Sequence, residues 1–257
     1  MKINRAGITG FFLCFLAIIF GVATNGGIQT IVNFLHLPSF IVTAGGALFA
    51  VLITADTFGD FILGIKGFGY ALFGGATNID GITESIYEMS DLARKEGLLS
   101  LEEKGSQLTD RFLAKGISLV VDGSEPDLIR DIMEMEMTHK YDNDKKQIRF
   151  WQDLGAYAPA WGMVGTLIGL INMMKTMGSD SSAIGAGMSL ALITTLYGSI
   201  IANWICIPIS RKLEKKSDAE YLVKEIVIEG VLSIQAGENT RIIKEKIRAI
   251  VNGEKET

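Results

Sequence analysis

From Ala6 to Ala55 the chain runs for 50 residues without an aspartate, glutamate, lysine or arginine. A helix crosses the hydrocarbon core of a bilayer in about 20 residues, and a formal charge left in that core is costly. The run is therefore long enough for two crossings. Thr24-Asn25-Gly26-Gly27 and the Leu37-Pro38 step interrupt it, which predicts a first span over 7–23 and a second over 40–55. Two further charge-free runs, Leu154 to Met174 and Ser181 to Ser210, predict a third span over 154–174 and a fourth over 183–208. The polar stretch Gly178-Ser179-Asp180-Ser181-Ser182 reads as a tight turn between them.

Charge sets the orientation. Of the 24 lysines and arginines, two precede the first span, eleven lie between the second and third, and ten follow the fourth. The short connection after the third span has only Lys175, and the one after the first has none. Cytoplasmic loops carry the excess of basic residues, so both termini are expected inside an inner (plasma) membrane. A cleavable leader ending near Gly21-Val22-Ala23 is the competing reading. The next apolar run follows almost at once and the uncleaved span count agrees with the charge bias, so an uncleaved first span is expected.

The parts outside the spans read as helical, which makes the predicted fold all-α: 1–55 with two spans, a cytoplasmic helical domain over 56–150, two spans within 151–210 and a helical cytoplasmic tail over 211–257. The stretch Phe61 to Tyr70 is apolar but broken by Lys66, as in a helix leaving the bilayer or lying on it. Ile79, Ile82, Ile86, Met89 and Ala93 recur at helical spacing, with Gly97 as a stop. Ser100-Leu101-Glu102-Glu103 has the form of a capping box opening a second helix. Ser124-Glu125-Pro126-Asp127 opens a third, expected to run unbroken into the third span. The tail is expected to prolong the fourth span as one long helix.

Catalytic signatures are absent. Gly59 to Lys66 misses the phosphate-loop pattern by one residue, Ser189 lacks a nucleophile-elbow context, and no metal-ligating histidine or cysteine pair occurs. Cys14 and Cys206 sit singly in apolar runs, and His36 and His139 fall outside the spans, where solvation or capping suffices. No basic stripe with interleaved aromatics suggests nucleic acid. No enzyme, cofactor or metal is expected.

The four spans hold no acidic or basic side chain. Proton and ion relays keep such groups at membrane depth, so either the protein conducts nothing or another chain supplies the titrating carboxylate. Small and hydroxylic residues stand out instead: Gly162, Gly165, Thr166 and Gly169 on the third span, Ser189, Thr194, Thr195, Gly198 and Ser199 on the fourth. Gly165-x-x-x-Gly169 permits close helix approach. The threonines suit a pore lining or, equally, hydroxyls bonded to their own i−4 carbonyls.

Four stretches in order point to a family: Pro38 to Gly46 (PSFIVTAGG), Ala93 to Glu102 (ARKEGLLSLE), Ala158 to Thr166 (APAWGMVGT) and Glu229 to Asn239 (EGVLSIQAGEN). With this topology the chain resembles the flagellar stator family MotA, one of the MotA/TolQ/ExbB proton channels, along nearly its whole length. The resemblance implies a pentamer of such subunits in the lipid bilayer around the single spans of two MotB-type partner chains, whose membrane aspartate carries the ion. It implies an ion path past Thr166 and Thr195 and conformational coupling through Pro159 and Pro208. Contact with the rotor protein FliG would fall to Arg94 and Glu102, with Lys95 and Glu103 beside them. The ion would be the proton, with sodium kept open by the threonine at 166. Thr240 departs from the proline that many relatives carry after Asn239. Two alternatives remain: an energiser of the ExbB or TolQ kind, with three spans and its N-terminus outside, and a scaffold that conducts nothing.

Overall fold

The computed structural model describes residues 5–74, 78–176 and 181–253. Among these every regular element is helical and no strand occurs. Four helices are long and apolar enough to cross a membrane, so the chain is an all-α, four-span membrane protein. It divides into two compact units, one of residues 1–75 and 145–214, the other of 76–144 and 215–257.

In the first unit α1 covers Arg5–Gly26 and a 3-10 segment covers Ile28–Phe34. The next helix, α2, spans Leu37–Thr54 and contains a π turn at Ile41–Gly45. His36 caps it: its imidazole accepts the Ser39 amide at 3.3 Å, and Pro38 sits in the first turn, where its missing N–H costs nothing. After α2, Thr57 accepts the Asp60 amide to start α3, Phe58–Phe73. The third span belongs to α7, an uninterrupted helix from Pro126 to Thr176. The fourth belongs to α8, which runs as Ser181–Ile200, a π segment Ile201–Cys206 and Ile207–Gln235. Of the turn expected at 178–182, residues 178–180 lie outside the described residues.

Small residues let these helices touch. A Cβ on Gly46 would lie 2.3 Å from the Trp161 ring, and one on Gly64 would lie 2.3 Å from Phe150. The Trp151 indole N–H donates to the Gly64 carbonyl at 3.0 Å, so α3 is held against α7. On α8, Trp204 donates to the Phe11 carbonyl at 3.1 Å and stacks on Phe11 and Phe15 at 4.7 and 5.6 Å between centroids. Large apolar side chains such as Phe12, Leu13, Phe20, Phe49 and Ile53 point outward. That is the arrangement lipid tails require, because they are as apolar as the side chains themselves.

The second unit is a helical bundle around an apolar interior. The helices α4 (Ile79–Glu96), α5 (Leu101–Ser106) and α6 (Arg111–Val121) pack with the first part of α7, the last part of α8, and α9 (Thr240–Gly253). Ile86, Leu101, Leu113, Ile117, Met133, Ile226 and Ile243 are almost fully buried among one another. Ile86 and Met89 are two of the positions whose spacing predicted α4.

Three expectations need correction here. Ser100 does not form a capping box: its backbone is helical, and its hydroxyl donates to the Gly97 carbonyl at 2.6 Å within a 3-10 turn over Leu98–Ser100. Gly97, at φ +87, supplies the reversal that this turn needs. The helix after it is not continuous, since α5 ends at Ser106 and Asp110 caps a separate α6 by accepting the Leu113 amide at 2.8 Å. The tail is not one helix either. It stops at Gln235, turns at Gly237 (φ +67) and restarts at Thr240. There Thr240 donates its hydroxyl to Asp91, a bond that proline would lack.

Candidate functional site

The third and fourth spans meet along a seam of glycines. A Cβ on Gly162 would lie 2.9 Å from the Thr194 carbonyl, one on Gly169 would lie 2.6 Å from the Gly187 carbonyl, and one on Gly198 would lie 2.6 Å from the Ala158 carbonyl. These are backbone atoms, which cannot rotate away. The Gly165-x-x-x-Gly169 spacing thus acts as the small-residue contact it resembled, and Thr194 fills the space at Gly165. Thr194 is fully buried, and its carbonyl accepts the Thr43 hydroxyl from α2 at 3.3 Å.

Thr166 and Thr195 come together at this seam. Their hydroxyl oxygens are 2.5 Å apart. Each also lies near its own i−4 carbonyl, Thr166 at 3.0 Å from Gly162 and Thr195 at 3.3 Å from Ala191. Back-bonding and hydroxyl pairing therefore coexist. Three hydroxyls converge on the Ala191 carbonyl, those of Thr166 at 3.1 Å, Thr194 at 2.9 Å and Thr195 at 3.3 Å. A carbonyl has two lone pairs and each hydroxyl one proton, so all three donors cannot be satisfied there at once. At least one hydroxyl donates elsewhere, the Gly162 and Leu190 carbonyls each lying 3.0 Å from Thr166 and Thr194, and oxygen lone pairs remain at Thr195, which is exposed. Such a cluster can accept from water or face a hard cation without holding a fixed charge. Neither the Ala191 carbonyl nor the Thr43 contact was foreseen, since backbone acceptors leave no mark in a sequence.

The prolines lie on the same two helices. Pro159 is inside α7, and its Cα lies 3.0 Å from where a Cβ on Gly198 would sit. It removes the donor to the Gly155 carbonyl and sits at one of the close backbone approaches of the seam. Pro208 follows directly on the π segment Ile201–Cys206. A wider π turn is one way a helix accommodates a ring that would clash with the carbonyl four residues back.

Arg94 and Lys95 occupy the last turn of α4, and Glu102 and Glu103 the first turn of α5. All four are exposed. Basic groups at a helix C-terminus and acidic groups at an N-terminus are each favoured by the helix dipole, so local physics alone tolerates this arrangement. Between the two pairs, the turn presents Leu99 at 76% exposure.

Among the described residues no three His, Cys, Asp or Glu are grouped to hold a metal ion. Outside the spans, the Lys146 ammonium, 3.2 Å away, holds the Asp60 carboxyl below its ordinary value. In the second unit Lys246 bonds Glu229 and Glu238 at 2.9 and 2.8 Å. The pairing raises the lysine and lowers Glu238.

The comparisons agree with this architecture. Residues 104–226 match the model of the MotA/TolQ/ExbB proton channel family. Motility protein A of Treponema phagedenis is 37% identical over 97% of this chain and 94% of its own. Chemotaxis protein PomA of Vibrio alginolyticus is 35% identical over 97% of this chain and 96% of its own. The flagellar MotAB stator complex from Bacillus subtilis superimposes with a TM-score of 0.81 at 29% identity, covering 93% of each chain. Identity of this extent, on a chain with four apolar spans, shows that the chain belongs to the MotA/TolQ/ExbB proton channel family, an inner-membrane family of channels and not of enzymes.

Proposed function

We propose that the chain is the ion-conducting stator subunit of a bacterial flagellar motor, coupling ion flow to torque. The carrying observation is that its spans have no Asp, Glu, Lys, Arg or His yet bring the Thr166 and Thr195 hydroxyls together at 2.5 Å. A proton or a sodium ion passing such a wall needs a carboxylate from elsewhere. A single-span MotB-type subunit supplies it as a membrane aspartate, and similarity to a solved MotAB stator complex supports that partner. Copies of this chain form a pentameric ring around it. The ion is the proton, and the paired hydroxyls keep sodium as the alternative because they offer hard oxygen ligands. One charge moving through 100 mV releases about 2.3 kcal/mol, enough to bias a local rearrangement at Pro159 and Pro208.

The distribution of basic residues, 23 of 24 on one side, supports cytoplasmic placement of both termini and of the second unit. There Arg94, Lys95, Glu102 and Glu103 meet the rotor protein FliG through charges of both signs. Two substitutions test the reading. Thr195→Val is expected to cut gradient-driven ion flux about tenfold while leaving membrane level and assembly unchanged, as loss of one hydroxyl contact at the path implies. Unchanged flux returns the residue to helix packing. Arg94→Glu is expected to abolish most swimming with normal assembly and ion flux, and a mutant that swims normally overturns the rotor contact.

A further inference from the structure

At the ends of the second and third spans that face each other in the first unit lies an open pocket of about 140 Å³. A single water needs only about 10–15 Å³ of such space, so the cavity admits a group of several atoms. Its wall is unusual for the edge of a span, because it carries Asp56, Asp60 and Asp153 together with Lys146 and Arg149. Asp60 and Lys146 pair through both carboxylate oxygens at 3.2 Å and neutralise each other. That leaves one guanidinium, on Arg149, and two carboxylates, on Asp56 and Asp153, in the same lining, none of them in an ion pair among the described residues. The remaining wall is apolar, with Val51 from α2, Phe61 from α3 and Phe150 from α7. Beside it Ile53 and Phe58 are exposed on the apolar surface of the unit.

The charge pattern selects the ligand. A simple anion would meet one free cation and two repelling carboxylates. A metal ion lacks three grouped ligands. A molecule with a phosphate and an ammonium a few bonds apart satisfies both signs at once: the phosphate accepts from Arg149, bidentately, while the ammonium donates to Asp56 and Asp153. A quaternary ammonium has no N–H to donate, so the amine is primary. The position at the end of α2, with apolar wall and apolar surface adjoining, provides for acyl chains. We infer that this cavity binds the headgroup of a zwitterionic aminophospholipid of the ethanolamine type, taken from the surrounding membrane. The site does not depend on the stator reading.

The full chain, purified in detergent and placed in nanodiscs of equal parts phosphatidylethanolamine, phosphatidylglycerol and phosphatidylcholine, is re-extracted and its retained lipid counted by native mass spectrometry. Phosphatidylethanolamine is expected about tenfold above either other lipid, the scale of one charge-assisted bond. Arg149→Gln lowers its retention about tenfold by the same measure. The isosteric Asp153→Asn lowers it too and shifts the balance toward phosphatidylglycerol. Lys66→Gln, an exposed cation on α3 outside the cavity, changes nothing, which separates a site from general attraction to basic protein. Circular dichroism and elution volume confirm that each variant is folded. Equal retention of the three lipids, or preference unmoved by both cavity variants, overturns the inference. Displacement of the lipid by soluble glycerophosphoethanolamine at matched concentration overturns the membrane source.

Discussion

The two units of this protein pack helices by different means. In the first, helices touch through glycines and threonines, and large side chains such as Phe20 and Phe49 face outward. In the second, Ile, Leu, Val and Met fill the interior and few large apolar side chains are exposed. The cause is the solvent. Burying a leucine from water contributes about 1.5–3 kcal/mol, whereas burying it from lipid tails contributes almost nothing. Membrane helices therefore gain by close backbone approach and by hydroxyls that satisfy carbonyls, and a seam so built is one in which polar oxygens can gather without charge. The ion-path candidates Thr166 and Thr195 follow from that packing.

The contrast can be broken most sharply at Gly198. In Gly198→Leu the new side chain meets the Ala158 carbonyl, 2.6 Å from its Cβ. We expect folded protein recovered from membranes to fall tenfold or more, because backbone cannot yield as a side chain can. Monodisperse protein at near-normal yield in gel filtration would mean that the seam is not what joins these spans. In the second unit the parallel change is a deletion. Ile226→Ala, at a position with no exposed surface, is expected to cost about 2–5 kcal/mol, read by thermal unfolding of the purified protein. A cost below about 1 kcal/mol would place this core nearer the membrane kind.

The smallest effect concerns charge. Glu238 is held below its ordinary 4.5 by Lys246, and Lys246 above its ordinary 10.5 by Glu229 and then Glu238. The depressed carboxyl contributes stability that is full above pH 4.5 and fades as pH falls through its lowered value. The raised lysine contributes stability that is full below pH 10.5 and fades as pH rises through its raised value. Lys246→Met should therefore cost under about 1 kcal/mol between these limits, since the groups are partly exposed, and progressively less beyond them. A pH-independent loss, measured by melting temperature across that range, would assign the effect to packing.

Much of the fold was legible along the chain. Fifty charge-free residues and the period of Ile79, Ile82 and Ile86 are one-dimensional signals, and each corresponds to a local rule about solvent or helix geometry. Breaks were less legible. Ser100 had the residues of a capping box, but the Gly97 reversal placed it inside a 3-10 turn, and the restarts at Arg111 and Thr240 rest on Asp110 and Asn239 caps that resemble any polar loop.

What composition and periodicity determined by themselves was the number of spans, the all-helical class and the want of a membrane carboxylate, because desolvation penalties act on each residue wherever it goes. What only the tertiary structure decided was which oxygens meet. Thr166 and Thr195 are 29 positions apart and share the Ala191 carbonyl, and Asp56, Arg149 and Asp153 share one cavity across nearly a hundred residues. Such meetings depend on the distance between two backbones, which the glycine seam and the α3 contacts set, and no single stretch of sequence carries that distance.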